Sequence, residues 1–161
     1  EILRCLVGSE MCIRDRVCSS AAIKAAEYLK EKFGTPYEIE YPRSCLPEEI
    51  VQKAYNFTDK NVLVIHNQTA ADSVRKLITE KSGKCHCTSA TFFMQKKELS
   101  QQSDFFLADE SDLCDNVGDN YDVVIADKTL RRVMKNFSGE FIDFPHFGLS
   151  GRLLQGESEK I

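Results

Sequence analysis

The chain has 161 residues, 42% of them hydrophobic and 29% charged, with a formal net charge of −4. That is enough chain for one packed domain, or one domain with the edge of another, and it needs no disulfides to hold a core. The acidic balance excludes the clustered lysines and arginines of a nucleic-acid footprint, and no apolar run approaches the roughly 20 residues that span a bilayer.

The first 16 residues carry neither a helical nor a strand period. Charged residues interrupt every apolar stretch, so they do not read as a signal peptide. The seven cysteines are an odd number, which suits a reducing, cytoplasmic setting better than a disulfide framework. The triplet "CHC", Cys85–Cys87, puts two thiols on one face of a strand and His86 on the other. Two such thiols could hold a metal only with ligands from elsewhere, and the plain alternative is a reduced strand.

From Val17 the text acquires periods. "SSAAIKAAEYLKEKFG" predicts a helix with serine caps, a buried stripe of Ala22, Ala26, Leu29 and Phe33, and Gly34 just past its end. "PYEIEYP" alternates like a short strand between Pro36 and Pro42. "LPEEIVQKAYNF" predicts a helix whose early Pro47, Glu48 and Glu49 suit its positive end. "NVLVI" (61–65) is a continuous apolar run, as in a strand covered on both faces. "TAADSVRKLITEKSG" predicts a helix with Thr69 as N-cap and Gly83 at its end.

"CHCTSATFF" predicts a strand, "MQKKELSQQ" a short helix, and "DFFLAD" (104–109) another strand. "ESDLCDNVG" reads as a short helix closed by Gly118, "YDVVIAD" (121–127) as a buried strand and "KTLRRVMKNF" as a helix. "EFIDF" (140–144) is a last strand, followed by "PHFGLSGRL". Strands alternating with helices predict an α/β fold: a doubly wound, mostly parallel sheet with flanking helices.

Such sheets bind ligands beyond the carboxyl ends of their strands, near the switch in strand order. The candidates there are His66, Asn67 and Gln68 after the first buried strand, Asp127 and Lys128 after "DVVIA", and Pro145–Gly151 after the last. His66 and His146 are candidate ligands, proton donors or polar contacts; each could equally be a hydrogen-bonded packing residue. Asp127 suits an N-cap or, less simply, a catalytic carboxylate. Ser150 could cap a following turn, and Gly148 and Gly151 suit unusual backbone angles. "HNQTAADS" lacks the glycines of a dinucleotide fingerprint or a P-loop.

Three segments together resemble the nitrogenase component 1-type oxidoreductases. "AAIKAAEYLKEKFGTPYEIEYP" resembles the end of that family's middle domain. "KNVLVIHNQTAADSVRKLI" is similar to the first strand and helix of its last domain, and "YDVVIADKTLRRVM…FIDFPHFGLSGRL" to its ending. The resemblance implies a Rossmann-like C-terminal portion: residues 17–43 closing one α/β domain and 44–161 forming the last.

The resemblance further implies an oxidoreductase subunit whose complete protein holds an iron–sulfur cluster or iron-containing cofactor. Most ligands of that centre would lie outside this chain, and the chain alone would bind none and turn nothing over. It implies a sister component 1-like subunit or a homodimer, and an ATP-dependent iron-protein reductase as electron donor, with no nucleic acid and no membrane. In that setting His66 and His146 take the catalytic roles, and Asn67, Gln68, Asp127, Ser150 and Gly151 line the cofactor side; metal ligands stay unassigned.

The chain departs from the nitrogenase pattern in two places. "HNQT" stands where a Gly-rich loop with an arginine is expected, and Pro145 falls where the cofactor-ligating histidine would, one residue from His146. These departures point to a nitrogenase-like reductase or a scaffold for iron-cofactor assembly rather than dinitrogen reduction. A free-standing α/β ligand-binding module is the reading from another class.

"LVGSEMCIRD" (6–15) resembles one translated frame of a transposon-type sequencing adaptor. Residues 1–16 are accordingly expected to be a non-native extension that packs poorly. Cys5 and Cys12 go with it, and the net charge is unchanged, because three acidic residues there balance three arginines.

Overall fold

In the computed structural model, residues 15–117 and 120–151 are described. Five strands form one sheet: β3 (Asn61–Ile65), β4 (His86–Thr91), β5 (Phe105–Phe106), β6 (Val123–Ala126) and β7 (Glu140–Asp143). Their order is β5-β4-β3-β6-β7, and every neighbouring pair is parallel. The order turns back at β3, so the crevice of this doubly wound sheet opens between the carboxyl ends of β3 and β6.

The apolar runs dictate this layering. In β3, Val62 and Val64 face one side and Leu63 and Ile65 the other, all at most 1% exposed. Val62 and Val64 pack with Val123, Ile125, Ile142 and Phe144, under α3 (Gln68–Ser82) and α2 (Glu48–Lys53). Leu63 and Ile65 pack with Val124 and Ala126, under α4 (Glu110–Val117) and the turn carrying Leu130. Each fully buried aliphatic side chain contributes about 1.5–3 kcal/mol, so the two-sided core fixes which strands are central.

Arg75 of α3 is 7% exposed. Its Nη2 reaches Asp104 at 2.6 Å, and Asp104 also accepts from the backbone N–H of Ser89 and Gln101. One buried ion pair therefore ties α3 to β4 and to the segment before β5.

Ahead of the sheet lies a smaller unit: β1 (Asp15–Val17), α1 (Ile23–Phe33) and β2 (Tyr37–Ile39), with β1 and β2 parallel. Gly34 ends α1 in the left-handed conformation, φ 71°. The first two residues of β1 belong to the expected extension and pair as a strand; backbone pairing asks little of side chains. Residues 1–14 and 152–161 lie outside the described residues, as does Gly118.

Several expectations need correction. The stripe on α1 is Ile23 and Ala26; Ala22 is exposed, as are Leu29 and Phe33, because the apolar cover offered among the described residues, Val17, Tyr37 and Leu99, reaches Ile23 and Ala26. Asn67, not Thr69, caps α3: its side chain accepts from Ala70 N–H at 2.8 Å. The segment after β6 is a 3-10 turn, Lys128–Arg132, rather than an α-helix, and the expected helix near residue 97 is a single 3-10 turn at Lys97–Leu99. The strand expected over 104–109 shortens to Phe105–Phe106: at one end the Asp104 carboxylate takes the Ser89 N–H, and at the other the Ala108 N–H goes to the Asp112 carboxylate.

Replacing Asn67 by alanine is expected to cost about 1 kcal/mol, the usual worth of an N-cap. It should show as a lower urea midpoint at unchanged slope. Asn67→Asp should recover most of the loss, since its carboxylate can accept from the same N–H.

Candidate functional site

Three chain segments meet at the carboxyl edge. After β3 comes His66, 5% exposed, with Asn67 beginning α3. After β6 comes Asp127, fully buried. After β7 come Phe144, Pro145 and His146, followed by α5 (Phe147–Ser150) and Gly151. His66, Asn67, Asp127, His146 and Ser150 therefore share one edge, as expected of residues that follow strands on both sides of the switch.

Asp127 organises this edge. Its Oδ1 accepts from the backbone N–H of Thr129 at 2.9 Å and from the Thr129 hydroxyl at 2.8 Å. Its Oδ2 accepts from His146 N–H at 2.8 Å and from the Ser150 hydroxyl at 2.5 Å. One carboxylate thus caps the 128–132 turn and binds α5 at both ends. Burial pushes its pKa up, but the Ser150 hydroxyl, the His146 N–H and the two Thr129 donors outweigh it and hold the carboxyl at about 2. Ser150 spends its hydroxyl on Asp127, and Gly151 closes α5 in the left-handed region at φ 68°. Gly148 has no such angle; its need is space, since a Cβ there would lie 3.2 Å from both the Phe93 ring and the His146 ring.

The two imidazoles sit 4.4 Å apart, centroid to centroid. His66 stacks on Phe144 at 4.0 Å, and Tyr41 meets both rings edge-on at 6.2 Å. His66 Nε2 lies 3.2 Å from the Pro145 carbonyl. A carbonyl only accepts, so Nε2 carries the proton and Nδ1 the lone pair. That Nδ1 is buried with no hydrogen-bond partner among the described residues. Burial, and then the neighbouring His146, push the His66 pKa down to about 4. Burial also pushes His146 below its ordinary value, against the opposing pull of Asp127. Both rings are neutral at pH 7.

Gln68 is placed differently from a cleft residue. Its amide exchanges two hydrogen bonds with the backbone of Lys96, at 2.8 and 2.9 Å, and binds the Ser20 and Ser100 hydroxyls. All of its capacity clasps the 96–100 segment and the chain near Ser20 to the first turn of α3. Asn67 spends its side-chain oxygen on Ala70 and on the Thr69 hydroxyl. Lys128 donates its backbone N–H to Asp143, and its residue is exposed.

Sequence reasoning missed Phe93 and Tyr41. Phe93 lies flat on His146, centroids 4.3 Å apart and planes 7° apart. It stands two residues past the end of β4, so the carboxyl-edge rule applied to that strand would have found it. Tyr41 precedes Pro42 and reaches the site only through the fold.

The donor set does not fit a resident iron centre. Among the described residues no three His, Cys, Asp or Glu side chains converge where a metal ion could sit. Cys18, Cys45, Cys85, Cys87 and Cys114 are free thiols, and burial pushes Cys87 up to about 12. What the edge offers is a rigid wall of two neutral imidazoles, three aromatic rings and an anchored carboxylate. Among the described residues no helix is long and apolar enough to cross a membrane.

No family model matches the chain, and no curated protein matches it. A solved structure described as "Nitrogenase Cp1 at pH 6.5" overlaps 84% of this chain, at 16% identity and a TM-score of 0.42. The chain spans 32% of that chain's length. This is a partial likeness in the course of the chain. The α/β class, a parallel sheet covered on both faces, stands on the topology itself.

Proposed function

We propose that this chain is the carboxyl-terminal part of a nitrogenase component 1-like oxidoreductase subunit, its carboxyl edge walling a redox-centre or substrate cleft. One observation carries the reading. The segment most like the family's ending, "YDVVIAD…FPHFGLSG", folds into a single hydrogen-bonded unit, Asp127–His146–Ser150, set against His66 at the sheet's switch point. Residues 17–43 then close a preceding α/β domain, and 44–161 form the last.

In this reading most ligands of the iron centre lie outside this chain. Electrons come from an ATP-dependent iron-protein reductase, and a sister subunit or second copy completes the cleft. His66 and His146 contact what lies in the cleft, and Asp127 holds the wall in place.

The genomic locus and an anaerobic preparation test this. The reading expects a neighbouring iron-protein gene, upstream cluster cysteines, and bound iron whose paramagnetic signal changes when reductase and ATP are added. An iron centre that forms, ignores the reductase and passes to another protein marks the assembly scaffold instead. A natural start codon near Val17, with neither reductase gene nor iron, overturns both and leaves a free-standing module.

A further inference from the structure

The two imidazoles at the edge use their protons differently. His66 spends its N–H inside the protein, on the Pro145 carbonyl. His146 Nδ1 accepts from the backbone N–H of Gly148 at 3.1 Å. A ring nitrogen that accepts from an amide carries no proton, so a neutral His146 has its proton on Nε2. No described residue takes a hydrogen bond from that Nε2–H, although His146 is 9% exposed. Its Nδ1 lone pair, engaged with Gly148, is not offered to a ligand.

Hydrogen bonding by Gly148 selects the tautomer only while the ring stays on that contact, and the contact alone leaves the ring free to swing off it. Phe93 removes this freedom. Its face covers His146 with planes 7° apart, and the 4.3 Å spacing suits stacked rings. Gly148 permits the approach, because any side chain there would push into both rings.

We propose that Phe93 is a positioning residue that, with the Gly148 N–H, holds His146 as a fixed Nε2–H donor for an oxygen or sulfur acceptor on the group bound at the carboxyl edge. The proposal rests on reading that edge as a site. It assigns His146 the work of a hydrogen-bond donor rather than that of a metal ligand through Nδ1, and gives His66 no direct contact through Nε2.

The test is the imidazole ¹⁵N spectrum of the histidine-labelled chain at pH 7, without ligand or turnover. His146 is expected to show one tautomer, protonated on Nε2. Phe93→Ala should move its two nitrogen shifts toward the average of the tautomers, and Phe93→Tyr should restore the wild-type pattern. Gly148→Ala, which keeps the N–H but crowds both rings, should disturb His146 in the same direction. His66 serves as the fold control, since its own tautomer is set by Pro145. A wild-type His146 protonated on Nδ1 overturns the proposal. So does a Phe93→Ala protein with the His66 signals intact and the His146 pattern unmoved. Because no reductase or iron enters the measurement, it can fail while the oxidoreductase reading stands, and the reverse.

Discussion

Asp127→Ala is expected to destabilise the chain by about 2–6 kcal/mol, the summed cost of the two backbone donors it leaves unpaired. The carboxylate is fully buried and accepts from four described donors on two segments. Its removal orphans the His146 N–H and the Thr129 N–H inside the protein, and each unsatisfied buried group costs about 1–3 kcal/mol. Against a total stability of about 5–15 kcal/mol for a domain, the loss is large.

Asp127→Asn should fall between the two. Its carbonyl oxygen can still accept from Thr129, but its amide N–H₂ then faces the His146 N–H, donor against donor. Urea unfolding followed by circular dichroism reads both variants. A loss below about 1 kcal/mol for Asp127→Ala, no more than an exposed cap is worth, would show that the carboxylate does not hold α5. Acid should reproduce the effect. The folded carboxyl titrates at about 2 against an ordinary 3.8. The stabilisation is therefore complete above about pH 4 and is lost as pH falls toward 2.

The second large effect is also acid-driven but lies in a higher window. The His66 ring titrates at about 4 in the folded chain against 6.5 ordinarily. Between those values the unfolded chain binds a proton that the folded chain refuses. Stability is therefore full above pH 6.5 and falls as pH drops toward 4, by about 3 kcal/mol at 1.36 kcal/mol per pH unit. The groups facing His66 are Tyr41, Asn67, Phe144, Pro145 and His146, with the Asp127 carboxylate beyond.

His66→Phe should flatten the stability profile between pH 4 and 6.5. It keeps the stack on Phe144 while removing the titrating ring, at some loss of stability at pH 8 from the unbonded Pro145 carbonyl. His146, also pushed below its ordinary value, leaves a residual slope. A wild-type profile flat across this window would contradict the buried neutral His66.

The sheet was legible because its signal is redundant. "NVLVI" and "DVVIA" are continuous β-branched apolar runs alternating with helices, the pattern of strands covered on both faces. The carboxyl-edge rule places His66, Asp127 and His146 together, since each follows a strand next to the switch in order or its neighbour. In "HNQT" both Asn67 and Thr69 can cap; Asn67 does so because its backbone is extended, at ψ 148°, while Thr69 already lies inside the helix. The Gln68 clasp could not be read, since its partners Ser20, Lys96 and Ser100 lie 28 or more residues away. On α1 the spacing favoured a stripe through Leu29 and Phe33, yet the fold leaves them exposed. Periodicity shows which face is apolar; it does not supply the cover.

The central claim is that the edge formed by His66, His146 and Asp127 is where this chain meets the chemistry. The paramagnetic resonance spectrum of the complete, anaerobically prepared protein tests it most directly, recorded with reductase and ATP for wild type, His66→Ala and His146→Ala. Both variants are expected to show an altered signal and reduced turnover, with iron content retained. Two variants that match the wild type in spectrum and turnover would contradict it.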